Sequence, residues 1–160
     1  MKPVVNIDDV ALVEHSAGDV FAERYAPLSD VIGARQLGYN LTIVPPGKRS
    51  CPFHNHHANE EMFFIVDGEG TYRFGDESYA VKTGDIMAAP AGGRETAHHL
   101  INTGQQDLKY LSVSTMNDPD ICEYPDSDKF LVRSTAPGSS EVFRYIGRMA
   151  SKVGYFDGEA

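Results

Sequence analysis

With 160 residues, 14 Lys and Arg against 23 Asp and Glu, and a pI near 5.0, the chain is a small acidic protein. That charge argues against nucleic-acid binding by phosphate neutralisation, although a few local cations can still attract a small anion. A domain of this length buries roughly 70% of its unfolded surface, so its core needs no disulfides, and Cys51 and Cys122 make neither a disulfide framework nor a thiolate metal motif.

The first residues, MKPVVNIDDVALVEH, are interrupted by Asp8 and Asp9 and hold no signal-peptide core. No later segment approaches the ~20 apolar residues of a membrane span, so a cytoplasmic protein is expected. The first thirty residues show no regular pattern. From Leu37 the chain reads as short strands separated by turns. Leu37–Val44 ends at Pro45-Pro46-Gly47, and Glu61–Val66 runs into Asp67-Gly68, a two-residue hairpin signal. Thr71–Phe74, Ser78–Val81, Ile86–Ala89, His98–Asn102 and Leu108–Ser114 follow, divided by turns at Gly75-Asp76, Lys82–Asp85 and Asn102–Gly104. Gly68 and Gly84 stand where tight turns need positive φ. The Asp- and Pro-rich stretch Met116–Asp126 is expected to be a surface loop, Phe130–Arg133 and Val142–Ile146 are candidate further strands, and Phe156–Ala160 is a tail. About seven strands at even spacing, with no long amphipathic helix, suggest an all-β sandwich or barrel.

Five of the six histidines fall in two windows, His54–His57 and His98–His99. On a strand, His54 and His56 point to one face, because side chains alternate with a period of two. Glu61 opens the next strand, and His98 lies on a strand further on. These make a candidate set of three imidazoles and one carboxylate for a divalent transition metal such as Mn, Fe, Ni or Zn. Four protein ligands would leave coordination positions open for substrate. Two rival readings stand beside this one. His57 and Glu61, four apart, would share a helix face, and the histidine run could simply be a solvated loop, which the carboxylate at a fixed distance, the distant His98 and the surrounding glycines weigh against.

If Glu61 faces inward, so do Phe63 and Ile65. Met62, Phe64 and Val66, just as apolar, then face outward and call for a covering layer or a second subunit. Along Leu108–Ser114, Tyr110, Ser112 and Ser114 share one face, which suits either a wet interior or solvent.

Gly47, His54, His56, Glu61 and Gly68, followed by Gly84, Pro90, Gly92, His98 and Asn102, resemble the two sequence motifs of the cupin family. The resemblance covers Leu37–Ser114. It implies a double-stranded β-helix (jelly-roll) barrel, a metal inside it and a homodimer, with one cupin domain over residues 1–160 and its barrel core at about 37–115. The whole chain, with its Asp120–Phe130 segment and terminal Gly154–Glu159, is similar to small bacterial cupins assigned as sugar-phosphate isomerases. The resemblance therefore suggests a metal-dependent enzyme on a small polar substrate. The alternatives are an Fe- or Mn-dependent dioxygenase or decarboxylase, and a non-catalytic ligand-binding cupin.

The Ala91–Ala97 loop is longer than the family pattern and is expected to border the opening to the metal. It carries Arg94, a candidate for an anionic substrate group, and Glu95, a candidate catalytic base. Their bland counterpart is an exposed ion pair on a flexible loop. Phe53 and Tyr110 are further candidate pocket residues. No nucleic-acid or membrane partner is expected.

Overall fold

A computed structural model describes residues 2–159, and in them β-strands dominate. The strands are β1 (Val13–Ala17), β2 (Phe21–Pro27), β3 (Leu37–Val44), β4 (Asn55–His56), β5 (Glu61–Asp67), β6 (Glu69–Phe74) and β7 (Glu77–Lys82). They continue as β8 (Ile86–Ala89), β9 (His98–Ile101), β10 (Leu108–Thr115), β11 (Asp120–Tyr124), β12 (Lys129–Thr135) and β13 (Val142–Arg148). The short helix α1 (Leu28–Ile32) follows β2. Every strand expected between Leu37 and Ser114 is present. Among the described residues no helix is long and apolar enough to cross a membrane.

The strands form three sheets. The first has the order β1-β2-β3-β10-β5-β8, the second β13-β12-β11-β4 and the third β7-β6-β9. The chain passes repeatedly from one sheet to another, as a jelly-roll barrel requires. Asp67-Gly68 is such a passage and corrects the hairpin expectation. β5 pairs with β10 and β8, whereas β6 pairs with β7 and β9, so the two strands on either side of Gly68 lie in different sheets. Gly68 has φ +90°, and a Cβ there would stand 2.5 Å from the carbonyl oxygen of Asp107, so the corner admits only glycine. Gly84, at φ +93°, turns the chain from β7 to β8. The true two-residue hairpin is Gly75-Asp76, with Phe74 opposite Glu77.

Alternation on β5 decides the interior. Phe63 and Ile65 are buried with Val44, Tyr72, Leu100, Leu108 and Tyr110 in the barrel core, while Met62 is exposed. Fully burying an aliphatic or aromatic side chain of this size contributes about 1.5–3 kcal/mol, so this cluster is the main stabilising body. Tyr110 fixes the orientation of β10, whose Ser112 lies opposite Phe63, so the polar face faces the barrel interior. Part of the outer face of the first sheet is covered by the chain's own start. Val5, Ile7 and Val10 pack with Leu28 on Leu41 and Leu111.

The Met116–Asp126 segment corrects a second expectation. It is not all loop, because Asp120–Tyr124 forms β11, paired with β12 on one side and with β4 on the other. The alternation Asp-Ile-Cys-Glu-Tyr satisfies the period of a strand, and that pairing outweighs the loop signal of its aspartates and Pro119.

Candidate metal centre

The site is built where β4, β5, β9 and β11 meet at one end of the barrel. His54 and His98 are locked face to face by paired backbone hydrogen bonds, His54 N–H to His98 O at 3.2 Å and His98 N–H to His54 O at 2.7 Å. His56 lies two residues on and points the same way. Glu61, first residue of β5, projects between them. Its Oε2 lies 2.9 Å from His98 Nε2, 3.5 Å from His56 Nε2 and 3.6 Å from His54 Nε2.

The far side of each ring is tied down. Nδ1 of His54 donates to Pro52 O at 2.9 Å, Nδ1 of His98 to Thr96 O at 3.0 Å, and Nδ1 of His56 to Asp120 Oδ2 at 2.6 Å. Carbonyl and carboxylate oxygens only accept, so each Nδ1 carries the proton. In the neutral ring, Nε2 is then a lone pair. The ligating atoms of His54, Glu61 and His98 thus lie within 4.8 Å of one another, with His56 Nε2 3.5 Å from the same carboxylate, an arrangement of lone pairs that repels itself unless positive charge lies among them. A divalent cation supplies that charge, and imidazole plus carboxylate is the donor set of Mn, Fe, Ni or Zn. The residues present fit a metal.

The electrostatics agree. Burial disfavours a charged His56, yet its contacts with Cys122 and Glu61 outweigh burial and raise its pKa to about 10. Burial likewise opposes charging of His54, and Cys51 and Glu61 more than offset it, lifting the ring well above its ordinary value. Burial pushes Glu61 up, and the three histidines pull it well below the usual carboxylate range. The pocket thus demands positive charge, which a bound metal provides in place of protons.

His54, His56, Glu61 and His98 are therefore brought together, and the helical alternative joining His57 to Glu61 is not formed. His57 is half exposed and faces Glu123 at 3.6 Å. Tyr110 is buried in the core beside Phe63, its hydroxyl 2.7 Å from Ser50 Oγ. Phe53 is not brought to the ligands. Its ring packs edge-on to His99, on the face of β9 opposite His98, and lies 3.6 Å beneath the Arg73 guanidinium. The loop before His98 lies beside the histidine cluster, since Gly92 N–H donates to His56 O at 2.8 Å and Arg94 reaches Pro125 O at 3.3 Å. Both Arg94 and Glu95 are exposed, and the Glu95 carboxylate turns back to accept from Gly93 N–H at 3.0 Å. Among the described residues no hydrogen bond or ion pair joins Glu95 to the histidines.

Three residues at the site were not anticipated, and all lie on β11. Asp120 holds His56. Cys122 Sγ lies 3.2 Å from His56 Nδ1, and the Tyr124 ring stacks on His54 with centroids 6.2 Å apart. Their two-residue alternation was the available signal.

Residues 40–114 match the family model of the cupin domain. The barrel is a cupin domain. A protein from Acidithiobacillus ferrooxidans, provisionally named a sugar phosphate isomerase, superposes with a TM-score of 0.82 at 25% identity, covering 96% of both chains. An uncharacterized protein of Methanocaldococcus jannaschii is 35% identical over 83 residues, 52% of this chain and 56% of its own length. An oxalate-binding protein of Thermotoga maritima is 33% identical over 70 residues, 44% of this chain and 54% of its own. The chain thus spans little more than half the length of these two relatives.

Proposed function

We propose that this protein is a metal-dependent enzyme acting on a small polar substrate, with isomerisation of a sugar phosphate as the concrete reaction. The observation that carries the metal reading is the convergence of three Nε2 atoms on Glu61, with every Nδ1 already tied to an acceptor. The sugar-phosphate reading is supported by the likeness over nearly the whole chain to the Acidithiobacillus ferrooxidans protein. A bound Mn, Fe, Ni or Zn ion would polarise substrate oxygens. The chain's own residues do the rest. His54, His56, Glu61 and His98 hold the ion, Asp120 orients His56, and Tyr124 walls the mouth beside His54.

Moving a proton between adjacent carbons requires a base at that mouth. Glu95 remains our candidate, and it must first release Gly93 N–H to reach substrate. Glu95→Gln should then lower kcat on the order of 100-fold, with metal content unchanged.

The test is a panel of aldose and ketose phosphates offered to the metal-loaded protein, with interconversion read by NMR. Turnover that disappears on metal removal supports the proposal. The relative named for binding oxalate favours a second reading, a site that binds or decarboxylates a small dicarboxylate. Oxalate binding without sugar-phosphate turnover would replace the first reading by the second. We also infer a homodimer through the outer face of β5, where Met62 is 37% exposed.

A further inference from the structure

The sheet that supplies Asp120 extends beyond the barrel, and its register places charge. On β11 and β12, Asp120 lies opposite Arg133, Cys122 opposite Leu131 and Tyr124 opposite Lys129. On β12 and β13, Arg133 lies opposite Arg144, Leu131 opposite Ile146 and Lys129 opposite Arg148. Directly opposed residues of an antiparallel pair share a face. Cys122 in turn lies opposite His56. One continuous face therefore runs from the metal ligand His56, across Asp120, Cys122 and Tyr124, to Lys129, Arg133, Arg144 and Arg148. Two contacts agree with this. Lys129 Nζ sits 5.4 Å over the Tyr124 ring, and that ring stacks on His54.

Four of the 14 Lys and Arg in a chain of net charge −9 thus share one face beside the metal centre. Like charges directly opposite repel. Among the described residues none of the four makes an ion pair. Arg148 donates to Ser127 O and Lys129 leans on Tyr124, whereas Arg133 and Arg144 make no side-chain hydrogen bond among these residues. Two opposed guanidinium groups with free heads form a fork suited to a phosphate dianion. With strands about 4.8 Å apart, Arg133 and Arg144 stand roughly one and two strand spacings from Asp120. One small molecule can then reach both the metal and the pair.

We infer that Arg133 and Arg144 bind the phosphate group of the substrate whose other end reaches the metal centre. This rests on the sugar-phosphate reading above. The apolar pair Leu131 and Ile146 forms the floor beside it, and Lys129 and Arg148 bound its far side.

The test is calorimetric titration of the full-length, metal-loaded protein with inorganic phosphate. Wild type is compared with Arg133→Gln, Arg144→Gln, the double variant and Lys82→Gln, a control on the exposed edge of β7. Thermal melts and metal content verify each variant, and because Arg144 is exposed its variant keeps the test open if Arg133→Gln folds poorly. Phosphate affinity should fall at least 10-fold in each single Arg variant and further in the double, with Lys82→Gln unchanged. No phosphate binding by wild type, or equal binding by the double variant, overturns the inference. Loss of phosphate binding in the Arg variants without isomerisation of any sugar phosphate upholds this site and removes the isomerase reading. Isomerisation with an unchanged KM in the double variant does the reverse.

Discussion

Replacing Asp120 by Asn tests the logic of the metal centre without removing a ligand. Asp120 is 6% exposed and uses both carboxylate oxygens, Oδ2 accepting from His56 Nδ1 at 2.6 Å and Oδ1 from Ala58 N–H at 3.0 Å. An amide offers one acceptor and one donor. If its oxygen stays with Ala58, its NH2 faces His56 Nδ1, and the ring is driven to carry its proton on Nε2, where it cannot ligate. If the amide flips, Ala58 N–H loses its partner in a buried place. Loss of a ligand's orienting partner weakens metal binding about 10–100-fold, or about 1.4–2.7 kcal/mol. Since metal stabilises the fold by mass action, the gain in Tm on loading should shrink in step. The assay is chelator competition for Zn or Mn, paired with thermal melts of the metal-free and loaded protein. A folded Asp120→Asn variant with metal affinity within about two-fold of wild type would refute the argument that Asp120 sets the tautomer of His56.

The double variant His56→Ala, His98→Ala should retain no metal by elemental analysis, and full occupancy in it would remove the ligand assignment. Asn102 is fully buried, and its side chain serves Val44 O, Gln106 O and Gly104 N–H. Asn102→Ala leaves these groups unpaired and should cost about 3 kcal/mol in urea unfolding; a loss under about 1 kcal/mol contradicts that accounting. Arg94→Ala removes one exposed hydrogen bond to Pro125 and should change stability by less than about 0.5 kcal/mol, so an unfolded variant would show that the loop is structural. Light scattering at micromolar concentration should report a dimer, and Met62→Glu should shift it to monomer. A monomeric wild type sinks the proposed β5 interface.

The clustering of the candidate ligands His54, His56 and Glu61 was readable because its signal is local. His54 and His56 are two apart, and the period of a strand alone puts them on one face. The alternation through Phe63 and Ile65 likewise told inside from outside. What failed was pairing. Asp67-Gly68 has the composition of a hairpin turn, but whether its flanking strands pair depends on β9 and β10 competing for them, and no local window contains that. Asp120 is 64 residues from His56, so no motif spacing could join them. The density of Asp and Pro around it spoke for a loop. Phe53 directly precedes His54, and its turn to the opposite side follows from the same alternation that aims His54 inward. The cover over Leu41 and Leu111 comes from Val5, Ile7 and Val10, in a segment that had no periodic pattern to read.

The division of labour between barrel and extension follows from where the matches end. The candidate metal ligands lie within residues 40–114, the part that matches the cupin family model, and the oxalate-binding relative aligns over only 44% of this chain. A shared barrel does not determine substrate. β11, β12 and β13 lie beyond that segment; β11 brings Asp120 and Tyr124 to the histidines, and β12 and β13 carry the four cations on the same sheet face. The Acidithiobacillus ferrooxidans protein superposes over 96% of this chain and so spans that extension too. Selectivity is therefore expected to reside on β11–β13. On that view, exchanging barrel residues around Tyr110 would alter stability more than substrate choice. Exchanging Arg133 and Arg144 would alter substrate choice while leaving the metal in place.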